Sequence, residues 1–455
     1  MFRRIAICLF LAATTGLPLS AQDILGREVG VMPDAVPAVF AVKGATVHIG
    51  DGRILQNATI VLRDGLIESV AVDGEIPEEA WVIDAEGLTA YPGMIDALTE
   101  KGLRKDPARA RQPPRSPQTG AEPAVENAEG PGLFPHVFAA DMLDPAQEGL
   151  DSWRQSGVLS LNVAPSSGIF MGHTAVVNLD LDSPGRMLVH SPTALRMSLQ
   201  GLGFRTFPGS LMGVIAHVRQ TLIDARHYGE AHSVYSRHQR GMRRPERNRA
   251  LEALQPAVLG KVPVIFPAER AREIRRALRL AEEMQLKVIV AGGFEAGSMA
   301  AELRSSGIPV LVNLDFPELP KDRHPDAEES LRQIRFRREA PAVASRLQES
   351  GVSFAFYSGG LRNGADFLKG LRKVVSEGLP EEAALRAATL SAAEILGVQD
   401  QLGSIEAGKI ANLILASGSL FDEDSRIRHV FVDGRKYDVP DRPAKTQREE
   451  QEALP

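Results

Sequence analysis

From Tyr91 onward the chain changes character: short apolar runs begin to alternate with amphipathic helical patterns and continue to do so for about 300 residues. That alternation restricts the fold more than any other feature. Buried runs of four to eight residues separated by helices imply parallel strands joined by crossover helices, because parallel neighbours cannot be connected by a tight turn. The runs are Met94–Leu98, Val158–Val163, Val262–Phe266, Lys287–Val290, Pro309–Asn313 and Ser353–Tyr357. The helical patterns are Glu269–Met284, Gly297–Ser305, Ala327–Glu349, Asp366–Glu377 and Glu381–Leu396, the last entered through Pro380, which suits a first turn.

Both flanks are β instead. Residues 38–90 contain Val39–Ile49, Ala58–Leu62, Leu66–Val72 and Trp81–Asp84, and Asp64-Gly65 between two β-branched runs predicts a hairpin whose two turn residues both have positive φ. After Gly397, Asn412–Ala416 and Ile427–Val432 return to the strand pattern, with Asp433-Gly434 as a turn. Residues 104–132, rich in Pro, Arg, Ala and Glu and without apolar period, are expected to form a mobile surface loop. Residues 211–256 are expected to be helical, and the tail 441–455 is polar.

Residues 1–21 read as a cleaved secretory leader. Arg3 and Arg4 precede the apolar run Ile5–Ala13, which is too short to span a bilayer, and Pro18 and Ala21 follow it. The expected location is periplasmic or secreted, with no membrane span after cleavage. The only cysteine, Cys8, lies in that leader, so the processed chain would have neither disulfide nor thiolate ligand. A net charge of −6 disfavours a nucleic-acid partner.

Several segments resemble the amidohydrolase superfamily of metal-dependent hydrolases, close to its imidazolonepropionase-like members. Ala45–Val70 followed by Ala90-Tyr91-Pro92-Gly93-Met94-Ile95-Asp96 is similar to the start of that family's barrel. Ala387–Gly397 resembles its last barrel helix, and Leu402–Leu413 its return to a small β domain. Asn162–Gly168 and Gly172–Val177 are similar to an insertion found in exported members. The resemblance implies a distorted TIM (β/α)8 barrel, residues 91–402, beside a composite β-sandwich domain formed by residues 38–90 and 403–440. It also implies an active site at the C-terminal ends of the barrel strands, with one or two divalent metals, usually zinc, that activate a water.

Carried over position by position, the ligand set is missing. The His-x-His expected after Asp96 falls on Leu98 and Glu100, the next histidine on Pro267, another on Gly292, and the general base on Gly359. Only Glu100 offers a donor, whereas a zinc site needs three or four converging on the ion. The expectation is therefore no metal cofactor.

Other polar residues near the strand ends are Asp96, His173, Glu269, Glu295, Asn313 and Ser358. Glu100, Glu269, Glu295, Ser358 and His173 are the candidate ligand-contacting residues. Glu100, Glu269 and Glu295 would suit Ca²⁺ or Mg²⁺ if they converged; otherwise Glu269 and Glu295 belong to the first turns of following helices. Asp96 is read as structural, bonding backbone donors. His217, His227, His232 and His238, spaced off one helical face and mixed with arginines, suit a solvated face better than a ligand set. Ser358 lacks a Gly-x-Ser-x-Gly frame. Two readings follow. The first is a pseudoenzyme that binds a small molecule, or that assembles as a homo-oligomer or with an intact homologous subunit. The second is a hydrolase of cyclic amides or peptide-like C–N bonds working through a relocated carboxylate metal site.

Overall fold

The computed structural model describes residues 38–104, 130–203, 206–319 and 329–440. The leader, nearly all of the 104–132 loop and the polar tail lie outside the described residues. In chain order the strands are β1 Val39–His48, β2 Ile54–Arg63, β3 Leu66–Val72, β4 Trp81–Asp84, β5 Thr89–Pro92, β6 Met94–Thr99, β7 Val158–Val163, β8 Phe170–His173 and β9 Ala175–Asn178. They continue with β10 Leu188–His190, β11 Leu195–Met197, β12 Val264–Ala268, β13 Val288–Gly292, β14 Val310–Asn313, β15 Phe354–Tyr357, β16 Leu413–Ala416, β17 Ile427–Val432 and β18 Arg435–Asp438.

Strands β1–β5 and β16–β18 form one mixed sheet, ordered β18-β17-β16-β5-β1-β2-β3 with β4 beside β1. Both Asp-Gly turns have the expected backbone, with φ of 52° and 85° at Asp64 and Gly65 and 50° and 74° at Asp433 and Gly434. Phe40 of β1 and Phe431 of β17 are three strands apart, which in a flat sheet means roughly 14 Å. Their rings nevertheless meet edge to face at 5.7 Å. The sheet therefore curls over its own core, which includes Val42, Ile60, Ile83, Leu413 and Phe431.

The barrel is a distorted TIM (β/α)8 barrel, and the distortion has a definite location. Strands β11 to β15 are parallel neighbours in order, and β6 and β7 are a parallel pair. Between β7 and β11 runs the nearly continuous segment β8–β9: its second half pairs with β7, its first half with β11, and both pairings are antiparallel. One stave of the ring thus runs backwards. At the other seam β15 returns beside β6, where Ser358 N–H donates to the Asp96 carboxylate at 2.9 Å. A polar thread supports the reversed stave: Asn162 donates to Ala97 O at 2.9 Å and accepts from Thr193 Oγ1 at 2.8 Å, and Thr193 bonds the Thr174 hydroxyl at 2.6 Å.

Alternation along the strands sorts their side chains. Ile95, Ala97, Val176, Ala194, Ile265, Ile289, Leu311 and Ala355 fill the interior with Ala392, Ala393 and Leu396 packed against them. Phe266, Val290, Val312 and Phe356 point outward under the helices. The helix Ala271–Met284 answers with Ile274, Ala277, Leu280, Ala281 and Met284 on one face.

Two expected helices are divided. Ala327–Glu349 becomes Leu331–Glu339, a 3₁₀ turn at Ala340–Ala342, and Val343–Glu349, because Pro341 supplies no N–H to the ladder. Glu381–Leu396 breaks at Thr389, whose φ of −130° and ψ of −91° leave the helical region while its buried hydroxyl donates to Leu385 O at 2.7 Å.

Candidate functional site

One step beyond the apolar interior layer, the same alternation turns Ala164, Arg196, Pro267, Ala291, Asn313 and Tyr357 inward at the C-terminal ends of the strands. Arg196 is the cation of this mouth. Its guanidinium donates to Glu100 Oε1 at 3.2 Å and to the carbonyls of Ala164 and Pro165 at 3.4 and 3.1 Å. Asn313 and Tyr357 are registered neighbours on β14 and β15, and Asn313 Oδ1 accepts Asp315 N–H at 2.9 Å. Burial pushes the Tyr357 phenol up, the charge of Glu269 adds to this, and Arg196 opposes it. Tyr357 therefore stays a neutral donor throughout the ordinary pH range. Glu269 is also pushed up, by burial first and then by Glu273, against the opposing charge of Arg270.

The candidates read from the sequence end in different places. Glu100 is at the mouth, bonded to Arg196. Glu269 borders it. Glu295 is occupied elsewhere: its carboxylate accepts Ala271 N–H at 2.9 Å, at the N-terminus of the helix Ala271–Met284. That is the helix before it in the chain, not the one that follows, as the sequence reading had it. Glu273 caps the same end, accepting the N–H groups of Glu269 and Arg270.

Ser358 is fully buried and gives its hydroxyl to Thr99 Oγ1 at 3.3 Å, so it is not presented as a nucleophile. His173 is buried and faces out of the barrel: Nε2 meets Ala253 O at 3.0 Å, the ring stacks on Phe138 at 4.8 Å, and Nδ1 has no partner. Burial depresses its pKa, which keeps it neutral. It anchors the helix Arg249–Ala253 and does not reach the mouth. His217 and His232 likewise bond backbone carbonyls, of Pro131 at 3.1 Å and Glu246 at 3.3 Å.

The fit to a family-type metal centre is poor. Among the described residues no three His, Cys, Asp or Glu side chains are grouped to hold a metal ion. Two of the positions onto which the resemblance places the metal ligand and the general base are glycines whose neighbours leave no room for a side chain. At Gly359, φ is +56° and a Cβ would lie 2.1 Å from Asn313 Oδ1. At Gly292, φ is +113° and a Cβ would lie 2.9 Å from Glu269 Cγ. What the mouth offers is a set of hydrogen-bonding groups, Arg196, Tyr357 and Asn313 beside Glu100 and Glu269, suited to holding a small polar molecule.

Asp96 sits just below, completely buried, with Oδ1 accepting Ser358 N–H and Leu98 N–H at 2.9 and 3.3 Å and Oδ2 without a partner. Burial pushes its carboxyl up to about 6, against hydrogen bonds from Ser358 and Leu98 and the charge of Lys101. The folded chain therefore holds this proton more tightly than the unfolded chain, where Asp titrates near 3.9. The stability it contributes is complete below about pH 4 and is lost as pH rises to about 6, up to roughly 3 kcal/mol. Asp433, also pushed up to about 6 mainly by burial, acts in the same direction. Urea midpoints are expected to be higher at pH 5 than at pH 7, with Asp96→Asn removing part of that slope. An unchanged slope in the variant would clear Asp96 of responsibility.

Arg196 and Tyr357 escaped the sequence reading. Leu195-Arg196-Met197 is too short a run to register as a strand, and it pairs with the reversed stave. Tyr357 was recoverable from phase: Phe354 and Phe356 share one face, so Ala355 and Tyr357 take the other.

Residues 295–437 match the amidohydrolase family. No curated protein sequence is matched. Among solved structures, an amidohydrolase from Thermotoga maritima superposes with a TM-score of 0.72 at 24% identity, over 87% of this chain and 99% of that one. A Xaa-Pro dipeptidase with methionine bound in its active site gives 0.52 at 15% identity over 88% and 100%. A prolidase complexed with N-methylphosphonate-L-proline gives 0.54 at 18% identity over 88% and 99%. The resemblance to the amidohydrolase superfamily, and the barrel with a separate β-rich domain, are borne out.

Proposed function

We propose that this amidohydrolase-like chain is a pseudoenzyme: its barrel mouth binds a small polar molecule and does not perform metal-dependent hydrolysis. The observation that carries the reading is Gly359. The position of the family's general base has no side chain, and the space a Cβ would need is taken by Asn313. The donor count agrees, since Leu98, Pro267 and Gly292 supply none at the other positions. The alternative, a hydrolase with relocated carboxylate ligands, is disfavoured because Glu100 is engaged by Arg196 and Glu295 by a helix terminus.

The deciding experiment is metal analysis of the chain prepared without a His tag and dialysed against metal-free buffer. Well under one divalent ion per chain is expected, with no turnover of cyclic amides or X-Pro dipeptides when Zn²⁺ is added back. On the order of one tightly held ion per chain would overturn the proposal. For a binding mouth, Arg196→Ala is expected to weaken any ligand that gives a thermal shift by about tenfold or more. An undiminished shift in Arg196→Ala would place that ligand elsewhere.

A further inference from the structure

The barrel mouth carries more negative charge than it can pair. Glu269 follows β12 and Asp315 follows β14; both are exposed, and neither makes an ion pair among the described residues. The cation of the mouth is already matched, because Arg196 pairs with Glu100 at 3.2 Å. Two nearby cations are engaged elsewhere: Lys101 donates to Leu361 O at 2.8 Å, and Arg270 lies over the Phe336 ring at 5.4 Å. Glu100, Glu269 and Asp315 against Arg196 leave the mouth a net charge of −2.

The two unpaired carboxylates stand on either side of a pair of neutral donors. Glu269 Cγ lies 2.9 Å from the point a Cβ on Gly292 would occupy, so this side chain leans over the end of β13. Asp315 Oδ2 lies 2.5 Å from the same point at Gly360, beyond the end of β15. Between β13 and β15 runs β14, which presents Asn313. Asn313 is only 8% exposed; its Oδ1 accepts Asp315 N–H, and its Nδ2 has no partner among the described residues. A buried amide N–H without an acceptor is costly, so Nδ2 points to a ligand atom that accepts. The hydroxyl of Tyr357, registered beside Asn313, likewise has no partner among the described residues. These groups feel one another. Burial and the charge of Glu273 push the Glu269 carboxyl up, Asp315 adds to this and Arg270 opposes it. Both Glu269 and Asp315 add to the effect of burial on Tyr357.

We infer that the mouth takes a small organic cation that also carries a carbonyl oxygen: Glu269 and Asp315 attract its ammonium group, and the oxygen accepts from Asn313 Nδ2 and the Tyr357 hydroxyl beside Arg196. The inference rests on the reading of the mouth as a binding site and names its ligand class. A neutral amide would leave both carboxylates uncompensated, and an anion would be repelled by them.

The test uses the full chain and three probes of similar size at one ionic strength and about pH 6.5, where an α-amino group is charged. Glycinamide is a cation with a carbonyl, acetamide keeps the carbonyl without the charge, and acetate is an anion. Titrations followed by saturation-transfer NMR give the affinities. Glycinamide is expected to bind about tenfold more tightly than acetamide, because two partly exposed ion pairs of about threefold each multiply. Acetate is not expected to bind. Glu269→Gln and Asp315→Asn should each weaken glycinamide about threefold and leave acetamide unchanged. Both side chains are exposed, so the variants should keep their thermal midpoints. Glu295→Gln removes a carboxylate outside the mouth and should leave glycinamide binding as it was. Glycinamide no tighter than acetamide, or a preference that survives in the Glu269→Gln, Asp315→Asn double variant, would overturn the inference. Acetate binding that disappears in Arg196→Ala would also overturn it while leaving the binding mouth intact. Hydrolysis of glycinamide that depends on Glu269 and Asp315 would do the reverse, supporting the ligand class and sinking the pseudoenzyme reading.

Discussion

Asn178→Ala is expected to destabilise the folded chain by about 3–5 kcal/mol, because it removes three buried hydrogen bonds at once and takes from Asp433 Oδ1 its side-chain donor. Asn178 lies at the end of β9 and is fully buried. Its Oδ1 accepts from Ser160 Oγ at 2.7 Å and from Asn412 Nδ2 at 2.9 Å, and its Nδ2 donates to Asp433 Oδ1 at 2.7 Å. Asn412 closes the set, with Oδ1 accepting Asp433 N–H at 2.9 Å and Nδ2 also donating to Ser160 Oγ at 3.1 Å. Two of these residues belong to barrel strands and two to the composite β domain, so the network ties the two halves of the fold together. Asp433 is the sensitive member. It is already pushed up by burial and by the nearby charge of Asp180, and Asn178 is the hydrogen bond that holds it down.

Without Asn178 the carboxyl is more strongly driven to its protonated form. The variant's loss of stability should therefore shrink as pH falls from 7 to 5. Urea denaturation at the two pH values measures both effects. A loss below 1 kcal/mol, or one that grows toward acid, would mean that the network does not carry the junction. Asn178→Asp is expected to be worse than Asn178→Ala at pH 7, because it adds a second carboxylate where Asp180 and Asp433 already meet.

How much of this was legible beforehand depends on the range of the cause. The Asp64-Gly65 and Asp433-Gly434 turns were readable because a positive φ is a property of one or two residues. The continuously apolar strands were readable because both faces of a barrel strand are covered. The break at Thr389 was not, because it depends on a buried hydroxyl bonding one turn back, and threonine elsewhere sits in helices without such a break. Pro341 was in plain view but lay within an apolar period strong enough to hide the interruption.

The reversed stave was hardest. Phe170–His173 and Ala175–Asn178 are two four-residue runs, and only their pairings with different partners reveal that they form one strand running against the rest. Arg196 could not be placed at the mouth without that strand, so the site's one well-anchored cation was lost with it. That Leu98, Pro267, Gly292 and Gly359 carry no metal-binding side-chain atom was readable because it follows from residue type and needs no geometry. What surrounds those positions required the structure. Asn313 looked like one more polar strand end until its side chain was found in the space a Cβ on residue 359 would need.

That contact leads to the expectation that Gly359→Asp will be destabilising and catalytically silent. The backbone at 359 is in the left-handed region, which Asp enters at less cost than most residues, as Asp64 and Asp433 do in this chain, so the backbone contribution is below about 1 kcal/mol. The new Cβ would also lie 2.1 Å from Asn313 Oδ1 and 2.7 Å from Asn313 Cγ, so Asn313 must leave its position and give up its bond to Asp315 N–H. Overpacking of this kind adds about 1–3 kcal/mol. The variant should unfold roughly 1–4 kcal/mol more easily than the parent chain. Adding Asn313→Gly should return the part due to the clash and leave the backbone part, a division that a double-mutant cycle measures. Neither variant should gain metal or hydrolytic activity, because Leu98, Pro267 and Gly292 still provide no donor. A Gly359→Asp protein as stable as the parent would mean that Asn313 yields freely and that the mouth is looser than described. Metal-dependent hydrolysis from the single substitution would go further: it would show that a ligand set persists outside the family positions and that only the base had been lost.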